Sequence, residues 1–290
     1  MGTIMTPSVT WQEHYLIKGD LTLVLLPGIG GRLIDIRFQG QSLLFNNPDL
    51  SLIQFNPNEL AELPTKAKHF PFPLWGGEKT WVAPDNLWPS GAPYPLLDSG
   101  SYEFEWIDCH SVSMTSLVCP ISGLKIVRTI SISSDKAATW SIHHSLKNCG
   151  EYTRYCGVWS VMMVRRPVTI SYAQPTDTQI NTLFGNHSGC IEAMDGYTAI
   201  CCTHAQEFKV GVQPDQPSAD CMMLLGGDRF LLNSLLVDMS APNFYAHGHA
   251  LEIYNSGHYD YAELEWHSPA RHLAPGESIE LEVSFDLSRM

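Results

Sequence analysis

Charge is scarce in this chain. Asp, Glu, Lys and Arg make up only 16 % of its 290 residues, against 44 % for aliphatic, aromatic and cysteine residues. Disordered chains show the reverse balance, so composition excludes that class. Basic residues are the scarcer sign, with 17 Lys+Arg against 30 Asp+Glu and a formal charge of −13. Such a surface repels phosphate backbones and anionic membranes on average, and neither a nucleic acid nor a membrane is expected as partner. Long apolar runs are missing too. Leu21–Leu26 is among the longest, far short of the roughly 20 residues a spanning helix needs. The N-terminus lacks a basic start followed by a long apolar stretch, so no signal peptide is read and a cytoplasmic location is expected. The eight cysteines contain no CxxC pair and no framework spacing, which points to buried, reduced thiols.

Helical periodicity is almost absent. The best candidate, Asn58–Lys66, is confined by Pro57 and Pro64 to about two turns. What remains is a period of two. Leu21–Leu26, Arg32–Phe38, Ser42–Phe45, Tyr102–Trp106, Val112–Val118, Leu124–Ile132, Thr139–Leu146 and Tyr155–Val164 read as strands. So do Tyr197–Thr203, Phe208–Val212, Phe230–Val237, Leu251–Tyr254, Tyr261–His267 and Ile279–Leu287. Turn residues every eight to twelve positions point to an all-β sandwich or barrel. With no linker and no internal repeat, residues 1–290 are expected to form one β domain of about 17 strands. The longest segment without a strand signal runs from Asn46 to Ser101 and carries Trp75, Trp81 and Trp88. Exposed indoles are costly, so this excursion is expected to be ordered and to wall a cleft.

Several catalytic templates are lacking: there is no GxSxG, no GxxxxGK[ST] and no HExxH. Gly28-Ile29-Gly30-Gly31 is followed by strand signals, which makes it a turn and not a nucleotide loop. His247-Gly248-His249 sets two imidazoles on one side of a strand, but a third ligand at a defined spacing is missing, so no metal is expected, and no cofactor. His144 lies in phase with Trp140, Ile142 and Leu146 and reads as a hydrogen-bonded core histidine.

Two constellations carry chemistry. Trp75-Gly76-Gly77-Glu78-Lys79-Thr80-Trp81 sets opposite charges beside two indoles. Indole faces stack on the C–H faces of sugars while charged groups take the hydroxyls. Tyr261-Ala262-Glu263-Leu264-Glu265-Trp266-His267, as a strand, sets Glu263, Glu265 and His267 on one face. If that face is shielded, desolvation and like charge both raise a carboxylate pKa towards neutrality, which suits a general base. A solvent-facing polar strand is the plainer alternative.

The order of motifs resembles that of galactose mutarotase-like, or aldose 1-epimerase-like, proteins. Pro27-Gly28-Ile29-Gly30-Gly31-Arg32 resembles their opening hairpin, and Trp75-Gly76-Gly77 falls where they carry His-Gly-Gly. Leu146-Lys147-Asn148-Cys149-Gly150 resembles their hairpin after the central strand. Leu264-Glu265, followed by Leu273-Ala274-Pro275-Gly276-Glu277, resembles their late catalytic glutamate and closing turn. The stretches GGEKTWVAP, ELEWHSP and LAPGES are similar to those of a mutarotase-like family of bacterial proteins.

The resemblance implies a β-supersandwich with very little helix, a small-molecule carbohydrate ligand and no cofactor. It implies Glu265 as the base that takes the anomeric proton; Lys79 joins the catalytic set from the residues of this sequence, as a candidate proton donor. The sugar-binding residues expected around them are Arg32, Trp75, Glu78, Trp81, Trp159, Glu252, Glu263 and His267. Both family histidines are replaced, by Trp75 and in the region of Val158-Trp159-Ser160, so the acid has to come from Lys79, His267, His247 or Glu263. Two other functions stay open. One is a non-catalytic carbohydrate-recognition protein. The other is a sugar-phosphate epimerase, with Arg165-Arg166 or Arg32 clamping the phosphate. The oligomeric state stays open.

Overall fold

Alternation of apolar and polar residues does build this protein from strands. The structure, a computed structural model, describes residues 9–55, 70–173, 180–194, 196–237 and 244–290. The candidate helix at 58–66 lies outside the described residues. Numbered in chain order, β1 (His14–Lys18), β2 (Leu21–Leu26), β3 (Arg32–Phe38), β4 (Gln41–Ser42) and β5 (Glu78–Ala83) open one sheet. The strands β6 (Glu103–Trp106), β7 (Ser111–Thr115), β8 (Leu124–Ile132) and β9 (Thr139–Asn148) form a meander in a second. The chain then moves between the two sheets through β10 (Arg154–Arg165), β11 (Val168–Ala173), β12 (Asn181–Gly185), β13 (Ile191–Met194), β14 (Tyr197–Cys202) and β15 (Phe208–Val212). It closes with β16 (Ser218–Leu225), β17 (Asp228–Val237), β18 (Leu251–Asn255), β19 (Tyr261–His267), β20 (Arg271–Leu273) and β21 (Ser278–Arg289).

Among the described residues the first sheet has eleven strands, ordered β1-β2-β3-β5-β10-β19-β18-β15-β12, with β4 paired to β3 and β20 to β10. The second has ten, ordered β13-β14-β11-β16-β17-β21-β9-β8-β7-β6. Every pairing within them is antiparallel. Helix among the described residues amounts to α1 (Pro95–Ser99) and three 3-10 turns.

The core lies between the sheets. On β19, Ala262, Leu264 and Trp266 point into it, and Trp266 donates its indole N–H to Ser234 of β17 at 3.1 Å. The polar residues Glu78 and Thr80 of β5 face inward as well. Glu78 pairs with the buried Arg128 of β8, and Thr80 Oγ1 lies 2.7 Å from His144 Nδ1 of β9. His144 is fully buried, as a core histidine should be.

The structure corrects the reading of residues 46–101 as strandless. Within it, β5 is a central strand, buried at all six positions and paired with β10 along its length. The strands β11, β12 and β16 also lie in stretches the sequence reading left blank. All eight cysteines are free thiols, but Cys109 and Cys149 are exposed, against the expectation that all are buried. No helix among the described residues is long and apolar enough to cross a membrane.

Candidate functional site

The outer face of the eleven-stranded sheet carries the polar residues of its central strands, and antiparallel register sorts them into rows. One row runs Lys79, Val161, Glu265, Glu252 and Gly211 across β5, β10, β19, β18 and β15. The next runs Met163, Glu263, Tyr254 and Lys209 across β10, β19, β18 and β15. A third sets Trp81, Trp159 and His267 side by side. Directly opposed residues share a face. Three carboxylates, two ammonium groups and two indoles therefore meet within a few ångströms.

Over these rows opens a cleft of about 510 Å³, lined by Trp81, Trp88, Trp159, Lys209, His247, Glu252, Tyr254 and Glu263. That size suits a small ligand. Phe70, Phe72, Leu74, Asp85 and Trp88 from the 46–101 excursion form one wall, as the sequence reading expected.

Glu263 faces the cleft with its carboxylate 3.6 Å from the Lys79 ammonium, which lies over the Trp81 ring at 4.1 Å. Burial pushes Glu263 up to about 7; Lys79 pulls it back and Glu265 adds to the rise. Burial pushes Lys79 down from its ordinary value, with Glu263 opposing. Glu252 is enclosed by cations and imidazoles: Lys209 at 2.8 Å, His247 at 3.2 Å and His267 at 3.4 Å. Burial alone would raise it, but Lys209 and His267 hold it well below the usual carboxylate range. Lys209 bridges Glu252 and Glu265, and despite its burial the two carboxylates raise its pKa. His267 is fully buried, and desolvation lowers its pKa.

The aromatic residues form a stack. Trp159 lies near parallel to Trp88, 5.6 Å between centroids, and near parallel to His267 at 5.3 Å. Trp81 meets Trp159 edge-on at 5.1 Å. The indole N–H of Trp159 donates to Glu265 at 2.6 Å.

Several expected sugar-binding residues lie elsewhere. Trp75 is buried in a satellite cluster with Val24, Leu26, Ile29 and Ile34 and donates its N–H to Ser99 at 2.9 Å. The cause is the Gly76-Gly77 turn, where φ is +100° and +74° and a Cβ on Gly76 would meet the Phe45 carbonyl at 2.2 Å. These glycines serve a close approach of two backbones and not a ligand. Glu78 faces the core, on Arg128. Arg32 is buried and bound to Asp98 at 2.7 Å, so it is no phosphate clamp. Arg166 is spent on the carbonyls of His204, Ser256 and Tyr259, and Arg165 reaches the Ser42 carbonyl. Among the described residues no arginine lines the cleft.

Lys79, Trp81, Trp159, Glu252, Glu263, Glu265 and His267 do share the outer face, although Glu265 and His267 are fully enclosed. Sequence reasoning missed Lys209 as a cleft residue, and placed Trp88 in the walling excursion without naming it as a binding residue. The signal for Lys209 was present: it is the one charge in the strand Phe208–Val212, flanked by the inward Phe208 and Val210.

No protein-family model matches the chain. No curated protein sequence matches it either. Solved structures do match across nearly the whole chain. A protein from Synechocystis sp. PCC 6803 superposes with a TM-score of 0.64 at 15 % identity, covering 99 % of each chain. A galactose mutarotase-like protein from Lactobacillus casei ATCC 334 gives 0.62 at 9 % identity, covering 96 % of this chain and 100 % of that one. A galactose 1-epimerase from Lactobacillus acidophilus NCFM gives 0.55 at 13 % identity, covering 96 % and 94 %. The chain thus has the all-β galactose mutarotase-like fold that its motifs led us to expect.

Proposed function

We propose that this protein binds a neutral carbohydrate in the outer-face cleft and interconverts its anomers by general acid/base catalysis. The carrying observation is Glu263, a cleft-facing carboxylate whose pKa stands at about 7. A base works best when its pKa lies near the operating pH. Glu263 takes the proton of the anomeric hydroxyl, the ring oxygen is protonated, and the C1–O5 bond breaks to give the open aldehyde. Rotation about C1–C2 and reclosure on the other face of the carbonyl return the proton and yield the other anomer. Of the acid candidates in the sequence, only His247 and Glu263 line the cleft, which assigns the ring-oxygen proton to His247.

Glu265, the base that the resemblance implies, is fully buried and already holds Trp159 and Lys209. We assign it to positioning these two groups. The aromatic wall of Trp88, Phe70, Phe72 and Tyr254 supplies apolar surface for the sugar ring.

Polarimetry on a panel of aldoses tests the reading. Wild type should mutarotate at least one sugar faster than buffer, and Glu263→Gln should lose about 10²–10⁴-fold in rate with little change in sugar affinity. A wild type that binds sugar, seen as quenched tryptophan fluorescence, but turns none over would establish the recognition-protein alternative instead. Retention of the rate by Glu263→Gln would remove Glu263 as base.

A further inference from the structure

The cleft floor holds a cluster of which acid/base chemistry uses only His247. Glu252 on β18, His267 on β19 and His247 from the segment before β18 converge, with one ligand atom from each lying within 4.8 Å of the others. Nδ1 of His247 is 3.2 Å from Oε1 of Glu252, and Nε2 of His267 is 3.4 Å from Oε2. Glu252 and His267 are fully buried. Yet neither ring nitrogen of His267 has a hydrogen-bond partner, and Oε1 of Glu252 accepts no aligned hydrogen bond. Buried polar groups are nearly always satisfied, so three unsatisfied atoms at one place need a cause.

We propose that His247, Glu252 and His267 bind a divalent transition-metal ion of the zinc class. In a tetrahedral zinc site, metal–ligand bonds of about 2.0–2.1 Å set neighbouring donors about 3.3 Å apart, which matches Nδ1 of His247 and Oε1 of Glu252 at 3.2 Å, while Nε2 of His267 stands 3.4 Å from the second carboxylate oxygen, Oε2. Two histidines and one glutamate are a ligand set that leaves a fourth position open. Because His247 and Glu252 line the cleft, that position faces it. The outer shell fits as well. Asp85 caps the outer nitrogen of His247: its backbone N–H donates to Nε2 at 3.4 Å and its carboxylate lies 3.5 Å from the same atom, so this residue fixes the ring's orientation.

Charge at the floor favours a cation. Glu252 and Glu265 carry two negative charges against the one ammonium of Lys209 between them. Asp85 adds a further negative charge from the rim. Lys209 holds Oε2 of Glu252, which leaves Oε1 turned towards His247. An ion here would take His247 Nδ1 and would itself be the electrophile at a bound sugar oxygen. The proposal does not depend on the epimerase reading, because metal binding is measured without sugar.

The test uses the whole chain, dialysed against a chelator and then titrated with Zn²⁺ by calorimetry and with Co²⁺ by visible absorption. We expect one ion per chain and the intense visible bands of four-coordinate Co²⁺. Affinity should fall at least tenfold in His247→Gln and Glu252→Gln and stay unchanged in His272→Gln, a surface control. His247 sits at the cleft edge with its side chain 13 % exposed, so its variant remains folded and readable even if Glu252→Gln does not. Absence of the bands at one equivalent, or wild-type affinity in His247→Gln, would overturn the proposal. Zinc binding together with no mutarotation of any aldose would instead sink the epimerase reading alone.

Discussion

Trp159 donates its indole N–H to Oε2 of Glu265 at 2.6 Å, and the same oxygen receives the Lys209 ammonium at 2.9 Å. Glu265 is thus the anchor under the aromatic stack, and the carboxylate that meets the cleft is its neighbour two positions earlier. That distinction leads to the first prediction.

Glu263 should impose a pH dependence on both activity and stability. Its pKa is about 7 in the folded chain against an ordinary value of 4.5. Between these values the native state binds more protons than the unfolded state, so this group makes stability fall as pH rises from about 4.5 to about 7, and level off above. The span corresponds to about 3 kcal/mol at 1.36 kcal/mol per unit. Urea titrations across pH 4–8 should show that slope in wild type and a flatter one in Glu263→Gln. On the proposed function, in which Glu263 acts as the ionised base, the mutarotation rate should rise through pH 7.

Glu78→Gln should destabilise the protein without touching the cleft. It leaves the fully buried Arg128 guanidinium without its counter-ion, and breaking a buried pair costs about 3–5 kcal/mol. A chemical denaturation midpoint that moves by less than the equivalent of about 1 kcal/mol would show that the pair does not couple β5 to β8. Sugar titration of the folded variant should match wild type.

Trp88→Ala should do the reverse. Trp88 is half-buried, lines the cleft and packs on Trp159. Losing an aromatic contact worth about 0.5–1.5 kcal/mol predicts sugar affinity roughly two- to tenfold weaker with a melting temperature near wild type. Unchanged affinity would place the sugar away from this wall.

Gly211→Ala should disturb the His249 side. A Cβ at Gly211 would lie 2.3 Å from His249 Nδ1, and His249 in turn stands 3.8 Å from Glu252. The ring has to move, at an overpacking cost of about 1–3 kcal/mol. Differential scanning calorimetry should record the loss, and an unshifted transition would mean that the ring moves freely.

The sequence showed the fold more clearly than the site. The boundaries of β2, β3, β8, β15 and β19 could be read from alternation because one face of each is apolar and turn residues flank them. β5 was illegible because polar residues occupy both of its faces, with Glu78 and Thr80 satisfied inside the core and Lys79 outside. A strand whose polar residues all find partners shows no period. The same blindness misplaced Trp75 and Glu78. Both belong to a motif rich in polar and aromatic residues, and only the turn at Gly76-Gly77 decides that these two point away from the cleft. On β19, by contrast, simple alternation put Glu263, Glu265 and His267 on the correct face.

The strict alternation of β19 also divides labour between its two sides. Ala262, Leu264 and Trp266 belong wholly to the apolar core, and Glu263, Glu265 and His267 wholly to the outer chemistry. Contacts on one side are not shared with the other, and energetic effects add when sites share no partners. Ligand preference can therefore drift through the odd-numbered positions while the even-numbered ones keep the chain folded. Selection for a new ligand on this scaffold would meet little epistasis from the sandwich beneath it.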